Sequence, residues 1–129
     1  MKAPTAFKIP KLWGHEIILH DGDYCCKLLH YDGIRTSSEH YHETKHETFV
    51  VLQGIFEIDW YSVDDPSQGS QGFRRAIPGF CLVLEPRTVH RVRCISAQGG
   101  TIVEASSKED PSDCVRLQPS INPFGTGTG

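Results

Sequence analysis

Short apolar runs divided by turn signals organise this chain. HEIILH (15–20) precedes Asp-Gly-Asp, and YCCKLLHY (24–31) precedes Asp-Gly. EHYH (39–42) and ETFVVL (47–52) follow, the latter ending at Gln-Gly, and then IFEIDWY (55–61). FRRAI (73–77) leads into Pro-Gly and FCLVLE (80–85); HRVRCI (90–95) and TIVEAS (101–106) complete the series. Each run has strand length, β-rich composition and Gly- or Asp-containing punctuation, so about nine short strands are predicted. No long segment carries a helical period, and evenly spaced strands with little helix predict an all-β sandwich or barrel. In IFEIDWY, Phe56, Ile58 and Trp60 alternate with Glu57 and Asp59; in HRVRCI, His90, Val92 and Cys94 alternate with Arg91 and Arg93. Each of these strands therefore has one inward and one outward face. ETFVVL is apolar on both faces after its first two residues, which predicts a central strand covered outside by a second sheet or a partner subunit. The polar stretch 62–72 reads as a loop that, like the N-terminal arm, covers the barrel mouth or packs on a second subunit; the Gly/Thr-rich tail from about 118 to 129 reads as mobile.

Composition adds mainly exclusions. The 129 residues fit one domain, and a net charge of −3 suggests no nucleic-acid partner. No apolar run approaches the ~20 residues of a membrane span. The N-terminus lacks the apolar core of a signal peptide, so cytoplasmic residence is the default expectation. Five cysteines, an odd number without a C-x-x-C pair, favour neither disulfides nor a zinc knuckle. Cys25, Cys81 and Cys94 lie in apolar runs and read as small buried hydrophobes.

The chemistry concentrates in SSEHYHETKHETFVVLQG, 37–54. On a strand, residues i and i+2 share a face, so His40 and His42 project together, about 7 Å apart along the strand. A tight ETKH connection would return Glu47 beside them. His90, which opens a strand in register with Val92 and Cys94, is the best candidate for a fourth ligand. Imidazoles and a carboxylate suit one divalent transition metal, Mn, Fe, Co, Ni or Zn. Four protein ligands on an octahedral ion leave two positions open, which is what a chelating hydroxy-carbonyl substrate needs. His46, Tyr41 and Arg91 alternate with the candidate ligands and should face elsewhere.

These residues resemble the cupin motifs. The first motif, G-x(5)-H-x-H-x(3,4)-E-x(6)-G, matches Gly33, His40, His42, Glu47 and Gly54 with one extra residue in the first gap. The second, G-x(5)-P-x-G-x(2)-H-x(3)-N, begins at Gly79 and keeps His90, but has Glu85 for its Pro, Arg87 for its Gly and Cys94 for its Asn. The resemblance covers roughly 13 to 106 and implies a single-domain jelly-roll barrel. Trp13-Gly14, Lys27, Ser38 to Gly54, His90-Arg91 and Glu104-Ala105-Ser106 further resemble the sugar-isomerase cupins, D-lyxose isomerase and the C-terminal domain of type II mannose-6-phosphate isomerase. This implies aldose–ketose isomerisation of a small sugar or sugar phosphate, a homodimer and one bound metal, with manganese favoured. Glu104 and Lys27 are the candidate acid–base groups, provided that their strand parity points them inward. An Fe(II)-dependent dioxygenase and a non-catalytic sugar-binding module are the alternatives.

Overall fold

The computed structural model describes residues 6–65 and 72–120, so most of loop 62–72 and the tail from 121 lie outside the described residues. It consists of strands and turns, with no helix among the described residues. Two antiparallel sheets face each other in a jelly roll. The first has the order β1 (Phe7–Lys11), β2 (Gly14–Asp21), β3 (Tyr24–Tyr31), β11 (Gly100–Ser107), β6 (Glu47–Gln53), β9 (Cys81–Leu84). The second runs β12 (Val115–Gln118), β5 (Glu39–Tyr41), β10 (Thr88–Cys94), β7 (Phe56–Ser62), β8 (Gly72–Ala76), with β4 (Arg35–Thr36) also paired to β10. The nine sequence-predicted strands all form; β1, β4 and β12 are additional. β1 and β12 carry the sheets beyond the 13–106 interval of the cupin resemblance.

The inward positions divide the barrel into two levels. Leu29 and Tyr31 of β3, Phe49 and Val51 of β6, Val92 and Cys94 of β10 and Ile102 of β11 form one buried apolar cluster with Trp13, Phe56 and Ile58. One step along the same inward faces, β3 presents Lys27, β6 Glu47, β10 His90 and β11 Glu104, all buried. Four strands thus switch from apolar to ionisable side chains at a common height. Burying each large apolar side chain contributes about 1.5–3 kcal/mol, which offsets the cost of desolvating the charged level above. Trp13 stacks on Tyr31 with ring centroids 4.4 Å apart, and Tyr31 meets Phe56 edge-on at 5.1 Å, closing the floor between the levels.

One alternative is removed and one expectation is corrected. The outer face of β6 is not covered by the second sheet, which packs only on the inner side; Val50 is half-buried and Leu52 is 48% exposed. Cys81 is exposed, because it lies on the outer side of the edge strand β9 opposite Val50. Cys25 and Cys94 are buried as expected, and all five cysteines are free.

Candidate metal centre

His40 lies on β5, His42 just beyond it, and His90 on β10, where it is the register partner of His40. Their ligand atoms all fall within 4.8 Å of one another. Each ring is oriented from behind. His42 Nδ1 donates to the Asp113 carbonyl at 2.8 Å, and His90 Nδ1 donates to the Thr88 carbonyl at 3.0 Å. His40 Nδ1 sits 3.1 Å from the Ser38 carbonyl and 2.9 Å from the Ser38 hydroxyl. A carbonyl can only accept, so these contacts place the proton on Nδ1 and leave the Nε2 lone pairs for the cavity, the arrangement metal-ligating histidines use.

Glu47 completes the cluster. Its Oε1 is 3.6 Å from His42 Nε2 and its Oε2 is 3.4 Å from His90 Nε2. Ser106 of β11 is its register partner, so the short 43–46 connection does return the carboxylate to the histidines. Burial, reinforced by its two neighbouring imidazoles, holds the His40 pKa well below 6.5, and burial with the Lys45 charge lowers that of His42. Both rings are therefore neutral near neutrality, the protonation state a metal ligand needs.

Lys27 and Glu104 are register partners on β3 and β11, and both face inward. Lys27 Nζ lies 3.9 Å from Glu104, 3.5 Å from Glu16 and 3.6 Å from Glu109. The sequence reading passed over a second ammonium group. Lys45 Nζ is 2.9 Å from Glu109, 3.1 Å from Glu104 and 3.3 Å from Glu47. Its signal was parity: Lys45 stands two residues before inward-facing Glu47, as Glu16 stands two before buried Ile18. Glu109 and Asp113 come from the polar stretch 108–114, which has no period to read. Burial alone would lower the pKa of both lysines, but the surrounding carboxylates, Glu104 foremost, hold them above the ordinary value. Glu104 itself is pushed up, first by burial and then by the Glu47 charge. Glu16, Lys27, Lys45, Glu47, Glu104 and Glu109 border one cavity of about 260 Å³ with the three histidines.

The remaining sequence expectations sort cleanly. His46 is exposed and pairs with Glu85 at 2.6 Å. Arg91 points outward to Asp59 at 3.5 Å. Tyr41 is half-buried beneath the Arg87 guanidinium, 5.9 Å from its ring centre.

The architecture has close counterparts among solved structures. The capsular polysaccharide assembling protein CapF of Staphylococcus aureus superposes with a TM-score of 0.73 at 14% identity, over 88% of this chain and 34% of that one. KdgF from Halomonas sp. matches with a TM-score of 0.62 at 21% identity, over 76% of this chain and 83% of that one. Oxalate oxidase in complex with the substrate analogue glycolate matches with a TM-score of 0.65 at 15% identity, over 74% of this chain and 46% of that one.

The fold is the cupin fold.

At these identities the likeness concerns the fold alone, and this chain spans about a third of the length of the CapF chain it matches. No protein-family model matches the sequence, nor does any curated protein. The cupin frame explains two motif positions. Gly54 follows β6 with φ +84°, and a Cβ there would lie 2.5 Å from the Gly99 carbonyl oxygen, so glycine is required. Arg87, which stands where the second motif has glycine, has φ +64°, the left-handed conformation that glycine adopts freely. The structure keeps the turn without the glycine: the Arg87 amide donates to the His42 carbonyl at 2.7 Å, and its side chain pairs with Glu43 and Asp64. The departure from the motif thus leaves His90 in place.

Proposed function

We propose that this chain is a metal-dependent isomerase interconverting the aldose and ketose forms of a small sugar or sugar phosphate. The observation that carries this reading is that Lys27, Lys45 and Glu104 share one buried cavity with three converging imidazoles. The donor set fits a divalent ion on three counts. The three Nε2 atoms point into the cavity, and that of His90 is buried with no hydrogen-bond partner among the described residues. The imidazoles are backed by carbonyl oxygens in the way ligands require. With its four carboxylates ionised, the group formed by Glu16, Glu47, Glu104 and Glu109 with Lys27 and Lys45 carries two excess negative charges, the complement of one divalent cation. His40, His42 and His90, with Glu47 as the fourth ligand, would hold the ion. Manganese is the metal this reading favours.

When bound, such an ion supplies Lewis acidity toward neighbouring carbonyl and hydroxyl oxygens. The chain's own groups supply the proton transfer. Glu104 takes the proton from the carbon beside the carbonyl and returns it one carbon away, through a cis-enediol, while an ammonium group of the cavity gives a proton to the carbonyl oxygen and recovers one from the neighbouring hydroxyl as the new carbonyl forms. Burial makes its carboxylate a stronger base than an exposed one, while Lys27 and Lys45 hold it in place. The two ammonium groups also stabilise charge developing on substrate oxygens.

The test uses a panel of pentoses and hexoses, free and phosphorylated. Interconversion of at least one pair should vanish with EDTA and return with Mn²⁺. Glu104→Gln should lower kcat by about 10²- to 10⁴-fold, the contribution of a positioned acid–base group, with metal content unchanged. Metal-loaded protein that turns over no member of the panel, or that instead consumes oxygen with an Fe²⁺ load, would sink the isomerase reading. A homodimer belongs to the same proposal: Leu52 and Val83 leave the outer face of the first sheet apolar and exposed. Sedimentation equilibrium giving the mass of one chain would remove it.

A further inference from the structure

We infer that Asp113 is the positioning residue of this centre, acting on His42, Lys45 and Glu47 from about seventy residues away in sequence. The inference rests on the reading that the cavity binds a divalent metal. Asp113 follows a turn in which its own amide donates to the Asp110 carbonyl at 2.9 Å. Its side chain is buried against the 43–46 connection, the only covalent link between His42 and Glu47. There the carboxylate accepts three consecutive backbone amides: Glu43 at 2.6 Å, Thr44 at 3.1 Å and Lys45 at 3.0 Å. The Thr44 hydroxyl adds a fourth donor at 2.8 Å. The carbonyl of the same residue accepts from His42 Nδ1.

These contacts act together. Successive amides wrapped on one carboxylate form an anion nest, which holds the connection in a single conformation. That conformation sets where His42 leaves β5, where Glu47 enters β6, and where Lys45 projects between them. The carbonyl contact then fixes the His42 ring with Nε2 toward the cavity, because both ends of the arrangement belong to one residue. Four residues earlier, the same segment sends Glu109 to Lys45 and Lys27. Segment 108–114 is therefore a brace on the site, and Asp113 is its anchor. Asp113 touches neither metal nor substrate; it acts through the ligands.

A purely structural staple would hold the fold but would not tune the ligands, and the two roles can be separated. In the metal-free wild type, ¹⁵N NMR should show His42 as the Nδ1–H tautomer with a slowly exchanging proton. In Asp113→Ala and Asp113→Asn, far-ultraviolet circular dichroism should still report the β fold. The His42 signal should move toward a tautomer mixture, because the Asp113 carbonyl shifts once its side chain no longer grips the 43–46 connection, and Co²⁺ affinity should fall about 10- to 100-fold, as when the support behind a ligand is lost. The Co²⁺ absorption bands should shift, with Asn the milder change because its amide oxygen still accepts. Folded variants with wild-type Co²⁺ affinity and spectrum would overturn the inference alone. A wild type with His42 protonated on Nε2 would overturn it without any variant. A wild type that binds no divalent metal would overturn both this inference and the proposed function.

Discussion

Replacing His90 by alanine is expected to lower divalent-metal affinity at least ~100-fold, beyond what loss of an outer partner usually costs. His90 is the most buried of the three imidazoles, its side chain 2% exposed, and its Nε2 has no hydrogen-bond partner among the described residues. It lies 3.4 Å from Glu47, and its ring centre is 4.4 Å from that of His40. Its loss removes one of three converging donors and leaves Glu47 without that neighbour. The effect extends to stability. A metal at a thousand times its dissociation constant adds about 4 kcal/mol to a fold that alone binds it. The wild type should therefore lose stability with EDTA, and His90→Ala should show a much smaller response, about 1.4 kcal/mol at the same metal concentration for a 100-fold weaker site. Isothermal titration with Mn²⁺ and Zn²⁺ and melts with and without chelator measure both; unchanged affinity in the variant would refute the centre. Acid should act on the same ligands. The His40 and His42 pKa values are lowered from 6.5, so the unfolded chain takes up protons first as pH falls. Their contribution is present above 6.5 and is lost as pH drops toward the lowered values. Glu104, whose pKa is raised, has the opposite sign over the acid range. An NMR titration of the metal-free protein should find both rings with midpoints below 6.5.

Lys45→Met is expected to destabilise the protein by about 3–5 kcal/mol, the cost of removing one partner from a buried ionic group. The Lys45 side chain is 4% exposed and its ammonium group lies within 3.3 Å of three carboxylates. Methionine fills much of the same volume, so the loss is electrostatic rather than steric. Among the described residues, Glu47 would then have no lysine partner, and Glu104 and Glu109 would retain only Lys27, at 3.9 and 3.6 Å. Urea unfolding should show a lower midpoint with an unchanged slope. Lys45→Arg should recover part of the loss, and added divalent metal should recover part of it in the methionine variant by restoring positive charge. A methionine variant as stable as the wild type without metal would show that this ammonium group does not offset the buried carboxylates.

Most strands and the four candidate ligands were legible because period-2 alternation and ligand spacing are local properties. His40 and His42 share a face by pleat alone, and His90 shares one with Val92 and Cys94. The inward direction of Lys27 and Glu104 was conditional, since alternation says that two faces differ but not which one meets the core. Long-range pairing settled that: Glu104 lies between Lys27 and Phe49 in a register interrupted by bulges at Ile18/His20 and Thr101/Ile102. Each bulge shifts the phase of a strand, so parity cannot be carried across it from sequence.

The sequence by itself thus determined the β alternation, the ligand types and the glycine at 54. Only the tertiary structure brought Lys45 against Glu104 and Glu109, anchored the 43–46 connection on Asp113, and gave Arg87 a left-handed backbone. Those contacts span dozens of residues, and the ion pairs of Lys45 offset the cost of burying charge in the central cavity. That cavity exists only after the two sheets have closed on each other.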